Sequence, residues 1–287
     1  MMRTPDILYI GFPKTASTFI RGFLEFHPDV HVDQRAQTFI TAPERVSIAD
    51  DDAAATGGAR CYVSMAEKIA EGVVFDGDFP WREIMFDATA LDRLPGRLEV
   101  SPSHWARALA ARFPEAKILM AIRDQVDWLG SAYRYYVSQL AADRRSFLDF
   151  CETPKGAVLL RAGHYDLTID AYRRAFGADR VTVLRYEALR EDRSAFLASL
   201  CQFLDVDPVD FQGAPANVGR SALVTALHAR APWAGNLPGP LRELAKSVVN
   251  GISSHAKGTS LSETERRFIK STFAASNLRT EALLTDH

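Results

Sequence analysis

The sequence predicts an α/β fold in which a central, mostly parallel sheet is flanked by helices. The predicted strands 7–10 and 117–123 consist mainly of apolar residues and have the length of buried strands. Each is followed within a few residues by apolar side chains at helical spacing, so that strands and helices alternate along the chain. This alternation is typical of parallel sheets, in which a helix connects one strand to the next.

Length and composition are those of a globular protein with a large core. The chain has 287 residues, of which 47% are hydrophobic and 24% charged, and residues 1–287 are predicted to form one domain. The net charge of −2 argues against a nucleic-acid binder, which would be clearly basic. A local basic pocket can still hold an anionic nucleotide.

The cysteines and the first residues predict a cytoplasmic protein. Cys61, Cys151 and Cys201 are widely spaced and odd in number, which indicates reduced thiols. No His/Cys cluster has metal-ligand spacing, so no metal is expected. The first strand begins within ten residues and leaves no room for a signal peptide, and no apolar run is long enough to span a membrane.

The first strand leads into a loop suited to binding phosphate. Gly11 and Pro13 end the strand, and Phe19 and Ile20 begin a helical pattern. The loop between them, Pro13-Lys14-Thr15-Ala16-Ser17-Thr18, carries one lysine and three hydroxyls at a helix N-terminus. Free backbone N–H groups, the helix dipole and a cation together favour a bound anion. The loop matches neither the Walker A pattern nor G-x-G-x-x-G.

The remaining elements follow from periodicity and from helix start and stop signals. The first helix ends before Pro28, residues 50–60 form an exposed excursion, and Ser101 and Pro102 open a helix. The other predicted strands are 30–32, 73–76, 98–100 and one that starts at 180 and ends in Tyr186-Glu187. The other predicted helices are 64–71, 105–113, 126–137, 165–176, 196–204, 241–249 and 262–274.

A second candidate phosphate site follows the strand 117–123. This strand ends in Arg123, and Ser131 lies eight residues later on the next predicted helix. The carboxyl ends of parallel strands are the edge at which doubly wound folds bind ligands. An arginine binds a phosphate in a bidentate manner, and a serine adds a hydroxyl donor.

These two segments resemble the nucleotide-binding motifs of sulfotransferases that use PAPS (3′-phosphoadenosine 5′-phosphosulfate). The first resembles the family's 5′-phosphosulfate loop, P-K-[TS]-G-[TS]-[TS], with Ala16 in place of the usual glycine. Alanine is small enough to let a phosphate approach if its φ is negative. The second resembles the family's 3′-phosphate motif, R-[DN]-P-x-x-x-x-x-S-x-[YW], with Gln125 in place of proline, a change expected to affect only the turn.

The resemblance implies the P-loop NTPase-like sulfotransferase fold and a set of PAPS-binding residues. Tyr186 corresponds to a tyrosine beside the adenine in relatives, and the segment 217–221, with Gly219 and Arg220, resembles the loop over the 3′-phosphate. The full implied set is Lys14, Thr15, Ala16, Ser17, Thr18, Phe19, Arg123, Ser131, Tyr186, Gly219 and Arg220. Lys14 is expected to neutralise the leaving oxygen, the desulfated product is PAP, and no metal is needed.

The sequence leaves the general base and the acceptor open. Relatives place a glutamate and a histidine where this chain has Ala36 and Thr38, neither of which can accept a proton. His104 and Glu99 lie in the neighbourhood where other relatives place their base, without matching the pattern fully. Residues 38–97, where the resemblance is weakest, are predicted to form the variable acceptor region and its lid. The acceptor is a small molecule, lipid or carbohydrate, and the oligomeric state is open.

Two other functions compete with sulfuryl transfer. The missing acidic and histidine positions near Ala36 and Thr38 are compatible with a non-catalytic nucleotide-binding protein of degenerate sulfotransferase fold. The retained Lys14 argues against it, because a simple binder has little use for a lysine at the leaving oxygen. A nucleotide kinase is disfavoured because the chain lacks a Walker A loop and a clear magnesium-binding aspartate motif.

Overall fold

The sheet at the centre of the molecule is parallel throughout. In their order across the sheet, its described strands are Val30–Asp33, Cys61–Met65, Ile7–Gly11, Lys117–Ile122 and Val181–Arg185. A computed structural model of the chain describes residues 4–33, 36, 58–66, 99–139, 146–213 and 261–285, together with the backbone of 73–74. Backbone alone is also described for 99–100, 135–139 and 154–155. The strands are β1 Ile7–Gly11, β2 Val30–Asp33, β3 Cys61–Met65, β6 Lys117–Ile122 and β7 Val181–Arg185. A separate antiparallel pair consists of β4 Val73–Val74 and β5 Glu99–Val100.

Helices follow the strands along the chain, as the alternation predicted. In the described residues they are α1 Ser17–Phe26, α2 Pro102–Arg112, α3 Gln125–Gln139, α4 Phe147–Glu152, α5 Pro154–Ala162, α6 Tyr165–Phe176, α7 Tyr186–Glu191, α8 Arg193–Leu204 and α9 Glu263–Thr285. The predicted α/β class with a parallel sheet flanked by helices is confirmed. None of the helices in this part of the chain combines the length and apolarity needed to cross a membrane.

The two faces of the sheet bury two separate sets of apolar side chains. Because side chains alternate along a strand, Leu8 and Ile10 of β1 face one layer, and Ile7 and Tyr9 face the other. The first layer contains side chains of α2, α3, α6 and α9, and the second contains side chains of α1 and α8. β1 and β6 are almost completely buried on both faces, as continuous apolar runs predict.

Two predicted elements differ from the structure, and the elements β3, α4, α5 and α7 were not predicted. Residues 64–71 were predicted to form a helix, but Ser64 and Met65 belong to the buried strand β3, which lies between β2 and β1, and residues 67–71 lie outside the described residues. The strand predicted to end in Tyr186-Glu187 instead stops at Arg185, and Tyr186 opens α7. The helices α4 and α5 are additions to the predicted set. The predicted helix 241–249 lies outside the described residues, as does most of the predicted acceptor region 38–97.

The three cysteines are free and buried, as expected of reduced thiols. Burial is the main cause that raises the pKa of Cys151 to about 12, and Glu265 and Glu152 add to it. Burial also raises the pKa of Cys201. Both thiols therefore stay protonated and unreactive at neutral pH.

Candidate functional site

The register between β1 and β6 brings the two candidate phosphate loops to the same edge of the sheet. Gly11, the last residue of β1, pairs with Ala121 of β6. Lys14 follows Gly11 by three residues, and Arg123 follows Ala121 by two. Both loops therefore leave the carboxyl edge side by side, where parallel sheets bind their ligands.

The backbone of the first loop is left-handed at two positions. Lys14 has φ 67° and Ala16, the N-cap of α1, has φ 69°. The condition under which Ala16 was expected to let a phosphate approach, a negative φ, is therefore not met. A left-handed conformation costs an L-residue other than glycine about 1–2 kcal/mol, because Cβ crowds the neighbouring carbonyl oxygen. The glycine usual at this position in the resembling loops avoids that cost.

The loop side chains differ in what they offer to a ligand. The Thr15 side chain is fully buried, and its hydroxyl donates to the Phe12 carbonyl oxygen over 2.6 Å, so its proton is committed to the loop itself. Ser17 is 8% exposed and Thr18 is exposed at the start of α1. The first turn of α1 contains no acidic residue to repel an anion, and Ala16 supplies no side-chain cap to its N–H groups. Phe19 is buried in the core below.

The Arg123 guanidinium lies between the two loops. Its Nη1 donates to the Lys14 carbonyl oxygen over 3.3 Å, and its Cζ lies 4.4 Å from the centre of the Tyr186 ring. Asp127 lies in the first turn of α3, and its Oδ2 is 3.7 Å from Arg123 Nη2. The Arg123 side chain is 16% exposed, and among the described residues its buried Nε has no hydrogen-bond partner. A guanidinium held in this way, with donors left over, fits an anionic group such as a phosphate.

Helix α3 presents further polar groups on the side that faces Arg123. Asp124 Oδ1 accepts from the N–H groups of Val126 and Asp127, which caps the helix. Ser131, which is partly exposed, shares the face of Asp127 because the two residues are four apart. Desolvation and the like charge of Arg123 lower the pKa of Arg134, which places a second cation near the site.

Glu187 adds a link between the ends of β6 and β7. Its Oε1 accepts from the Asp124 N–H over 3.0 Å. The structure also brings together Lys14, Arg123 and Tyr186, which the sequence predicted to lie in one site. The adenine contact expected of Tyr186 stays a prediction.

A cluster of three aromatic side chains supports both loops, and the sequence did not reveal it. Phe12, Trp128 and Tyr165 contact one another with ring centres 4.8–5.9 Å apart. Trp128 Nε1 donates to the Pro13 carbonyl oxygen over 2.6 Å, and the Tyr165 hydroxyl donates to the Arg123 carbonyl oxygen over 2.9 Å. Burial raises the pKa of Tyr165 well above its usual value, so the hydroxyl keeps its proton and acts as a donor.

Gln125 does more than alter the turn, which corrects the expectation from the sequence. Its buried side-chain amide donates to Asn277 Oδ1 over 2.6 Å and to the Gly163 carbonyl oxygen over 3.3 Å. Asn277 belongs to α9, so the C-terminal helix is attached to the start of α3. A proline at position 125 could make neither bond.

One candidate base, His104, lies at the start of α2, and the other, Glu99, lies in β5. His104 is exposed, and its ring packs edge-on against Trp105 at 5.0 Å. Glu99 is in β5, and its side chain lies outside the described residues, as do Gly219 and Arg220. The roles expected of these four residues stay predictions.

The position at which relatives carry a glutamate is closed to solvent in this chain. Ala36 is fully buried, and its N–H donates to Ser64 Oγ over 2.9 Å. Ser64 Oγ in turn donates to Asp33 Oδ1 over 2.6 Å. Thr38 lies outside the described residues. The described residues contain no group of three or more His, Cys, Asp or Glu side chains placed to hold a metal ion.

Comparison with known proteins agrees with this geometry. The model of the sulfotransferase family matches residues 5–210, which is more than half of the chain and includes both loops. The chain belongs to the sulfotransferase family. The family and the fold support sulfuryl transfer in general. The search of curated proteins finds no match.

The chain is also similar to solved structures of sulfotransferases. The crystal structure of a sulfotransferase from Alicyclobacillus acidocaldarius superposes with a TM-score of 0.56 at 18% identity, covering 99% of this chain and 96% of that one. The sulfotransferase domain from the curacin biosynthetic pathway has a TM-score of 0.47 at 16% identity, covering 95% and 98%. Mouse sulfotransferase SULT7A1, complexed with PAP, has a TM-score of 0.47 at 14% identity, covering 98% and 89%.

The left-handed backbone at position 16 predicts that Ala16→Gly stabilises this family member. Glycine removes the steric cost of φ 69°, so we expect the free energy of unfolding to rise by about 1 kcal/mol in urea denaturation. Ala274→Gly, at an exposed position inside α9, is the matched control and should lower it by about 1 kcal/mol. A destabilised Ala16→Gly variant would contradict the strain assigned to this residue.

Proposed function

We propose that this protein transfers the sulfuryl group of PAPS to a hydroxyl or amine of an acceptor molecule, releasing PAP. The observation that carries the proposal is the hydrogen bond between Arg123 Nη1 and the Lys14 carbonyl oxygen. It joins the two loops that resemble the 5′-phosphosulfate and 3′-phosphate motifs of the family. A nucleotide with phosphates at both ends of its ribose is the ligand that engages both loops at once.

In this proposal Arg123 and the residues around it select for the 3′-phosphate. The Arg123 guanidinium contacts the Lys14 carbonyl oxygen and the Tyr186 ring, and its remaining donors can bind a phosphate in a bidentate manner. Ser131 adds a hydroxyl donor from the same side of α3. Tyr186 offers an aromatic surface for the adenine, and Gly219 and Arg220 complete the 3′-phosphate site in the proposal.

In this proposal the loop that contains Lys14 acts on the reacting group. During transfer the acceptor oxygen or nitrogen forms a bond to sulfur while the bond from sulfur to the bridging phosphate oxygen breaks. Negative charge then develops on the bridging oxygen, which stays with PAP. Lys14 stabilises that charge, and the N–H groups at the start of α1, with Ser17 and Thr18, hold the 5′-phosphate. The proposed scheme requires no metal ion.

The acceptor has to lose a proton to a base, and we assign this role to His104 or Glu99. The acceptor itself is a small molecule, lipid or carbohydrate bound by the segment between β2 and β6. A screen of sugars, lipids, phenols and small alcohols with radiolabelled PAPS identifies its class. A non-catalytic nucleotide binder is the second candidate, favoured by the buried Ala36 at the position where relatives carry a glutamate.

Lys14→Ala should lower sulfuryl transfer by about 10²–10³-fold and leave much of the affinity for PAP, because the lysine acts on charge that develops during transfer. Conversion of PAPS to PAP and sulfate, with water as the acceptor, measures this without a known acceptor. Lys117→Ala, at the opposite edge of the sheet, is the matched control and should leave the rate unchanged. A wild-type protein that binds PAPS but never converts it, with water or with any acceptor of the screen, would support the non-catalytic alternative.

Arg123→Ala should weaken PAP binding by about 10–100-fold, because a charged donor to the 3′-phosphate is lost. Isothermal titration calorimetry measures the affinity. Arg174→Ala provides the control, since Arg174 is an exposed arginine of α6 that is paired with Asp170. Equal affinities of the Arg123→Ala variant and the wild type for PAP would remove the 3′-phosphate assignment.

The base is tested by His104→Ala and Glu99→Gln in parallel, once an acceptor is known. The variant that lacks the base should lose about 10²–10⁴-fold in kcat and bind PAP as the wild type does. The other variant serves as its control. If both variants retain full kcat, the base lies elsewhere in the segment between β2 and β6.

A further inference from the structure

Two side chains of the arginine motif, those of Trp128 and Arg123, hold the main chain of the phosphate loop on either side of the Lys14 Cα. Trp128 Nε1 donates to the Pro13 carbonyl oxygen over 2.6 Å, and Arg123 Nη1 donates to the Lys14 carbonyl oxygen over 3.3 Å. These two carbonyls flank Lys14, whose φ of 67° lies in the left-handed region. The backbone conformation of Lys14, which directs its side chain, therefore depends on contacts made by Trp128 of α3 and by Arg123, which lies two residues before α3.

The Trp128 bond has the features of a rigid link. The Trp128 side chain is fully buried, and its ring contacts Phe12 and Tyr165. A buried main-chain carbonyl that loses its donor retains a desolvation penalty, so the loop gains from keeping this bond. Tyr165 in turn holds the Arg123 carbonyl oxygen, so that one aromatic cluster fixes the backbones of both loops.

The Arg123 bond is the adjustable link of the pair. Its donor–acceptor distance is 3.3 Å, longer than the usual 2.9–3.0 Å for such bonds, and its guanidinium also faces Tyr186 and Asp127. An anion bound by the remaining donors would order the guanidinium. That ordering would strengthen its hold on the Lys14 carbonyl, because hydrogen bonds that share a group support one another.

We propose that Trp128 is a positioning residue that, together with Arg123, couples the two phosphate sites, so that a phosphate at the arginine site orders the Lys14 loop for the second phosphate. The inference rests on the proposed function. In this inference the 3′-phosphate of the nucleotide has two effects. It raises the affinity for the nucleotide, and it orders the loop that contains Lys14. A nucleotide without it then binds with a less ordered Lys14.

The coupling is measurable as a thermodynamic cycle of four ligands: adenosine, 3′-AMP, 5′-AMP and PAP. The coupling factor is the product of the dissociation constants of 3′-AMP and 5′-AMP divided by the product of those of PAP and adenosine. All four dissociation constants are measured by displacement of the same fluorescent nucleotide. A substitution that merely destabilises the fold weakens the four ligands alike and leaves this factor unchanged.

We expect Trp128→Phe to lower the coupling factor about fivefold, the equivalent of one buried hydrogen bond. Replacing Trp128 with 3-benzothienylalanine, which keeps the shape of the ring and replaces the N–H with sulfur, should have the same effect and guards against misfolding of the phenylalanine variant. Tyr165→Phe should lower the factor as well, because it releases the Arg123 carbonyl.

Tyr172→Phe is the matched control. Tyr172 is a fully buried tyrosine of the same core layer, and its hydroxyl has no partner among the described residues. The coupling factor of the Tyr172→Phe variant should equal that of the wild type.

The outcomes separate this inference from the proposed function. A wild-type protein that binds PAP no more tightly than 5′-AMP would overturn the 3′-phosphate assignment and the coupling with it. A wild type that strongly prefers PAP, combined with an unchanged coupling factor in both Trp128 variants, would overturn the coupling alone.

Discussion

The parallel pairing of β1 with β6 is the constraint on which the site depends. Gly11 and Ala121 are partners in this register, so the loops after the two strands begin at the same level. An arginine side chain then spans the remaining gap to the Lys14 carbonyl. A slip of two residues would move one loop by about 6–7 Å and break this contact. Both strands are buried on both faces, which leaves the slipped pairing no way to keep the core filled.

Strain in the phosphate loop is balanced by the packing below it. Lys14 and Ala16 are both left-handed, which is unfavourable for residues other than glycine. Such conformations persist only where neighbouring groups determine them. Here the Thr15 hydroxyl holds the Phe12 carbonyl, and the Trp128 indole holds the Pro13 carbonyl. These two bonds hold the backbone on the N-terminal side of Lys14, and the longer bond from Arg123 to the Lys14 carbonyl oxygen holds its C-terminal side.

The sequence could predict the parts of the site that depend on local pattern. A loop with Lys14 after one apolar strand, and Arg123 after another, was enough to place both at one sheet edge, because parallel strands end together. What it could not predict depends on tertiary partners. The bond from Trp128 to Pro13 spans 115 positions of the chain, and that from Gln125 to Asn277 spans 152. A tryptophan or glutamine next to a helix start gives no indication of such distant partners.

The wrong predictions have the same origin. Residues 64–71 have helix-forming side chains, but the first two of them, Ser64 and Met65, lie in β3 between β2 and β1, where pairing with two neighbouring strands outweighs local propensity. The sign of φ at Ala16, on which a close approach of phosphate was expected to depend, is set by the turn into α1, where the backbone is left-handed. Gln125 was expected to affect only the turn, because the proline usual at this position restricts only its own backbone and that of the residue before it.

The donor and acceptor halves of the site are built differently. The groups proposed to hold PAPS follow β1, β6 and β7, which lie next to one another in the sheet and are fixed by the core. In the proposed function the acceptor is bound by the chain between β2 and β6, where Ala36 is buried and the Asp33 carboxylate accepts hydrogen bonds from the Tyr62 and Ser64 hydroxyls. Asp33 is thereby engaged in the edge strand β2, and the proposal assigns the base to His104 or Glu99, later in that segment. Separation of this kind lets a family keep one nucleotide site while the acceptor changes, because substitutions in that segment outside β3 and α2, which pack in the core, leave the pairing of β1 with β6 intact.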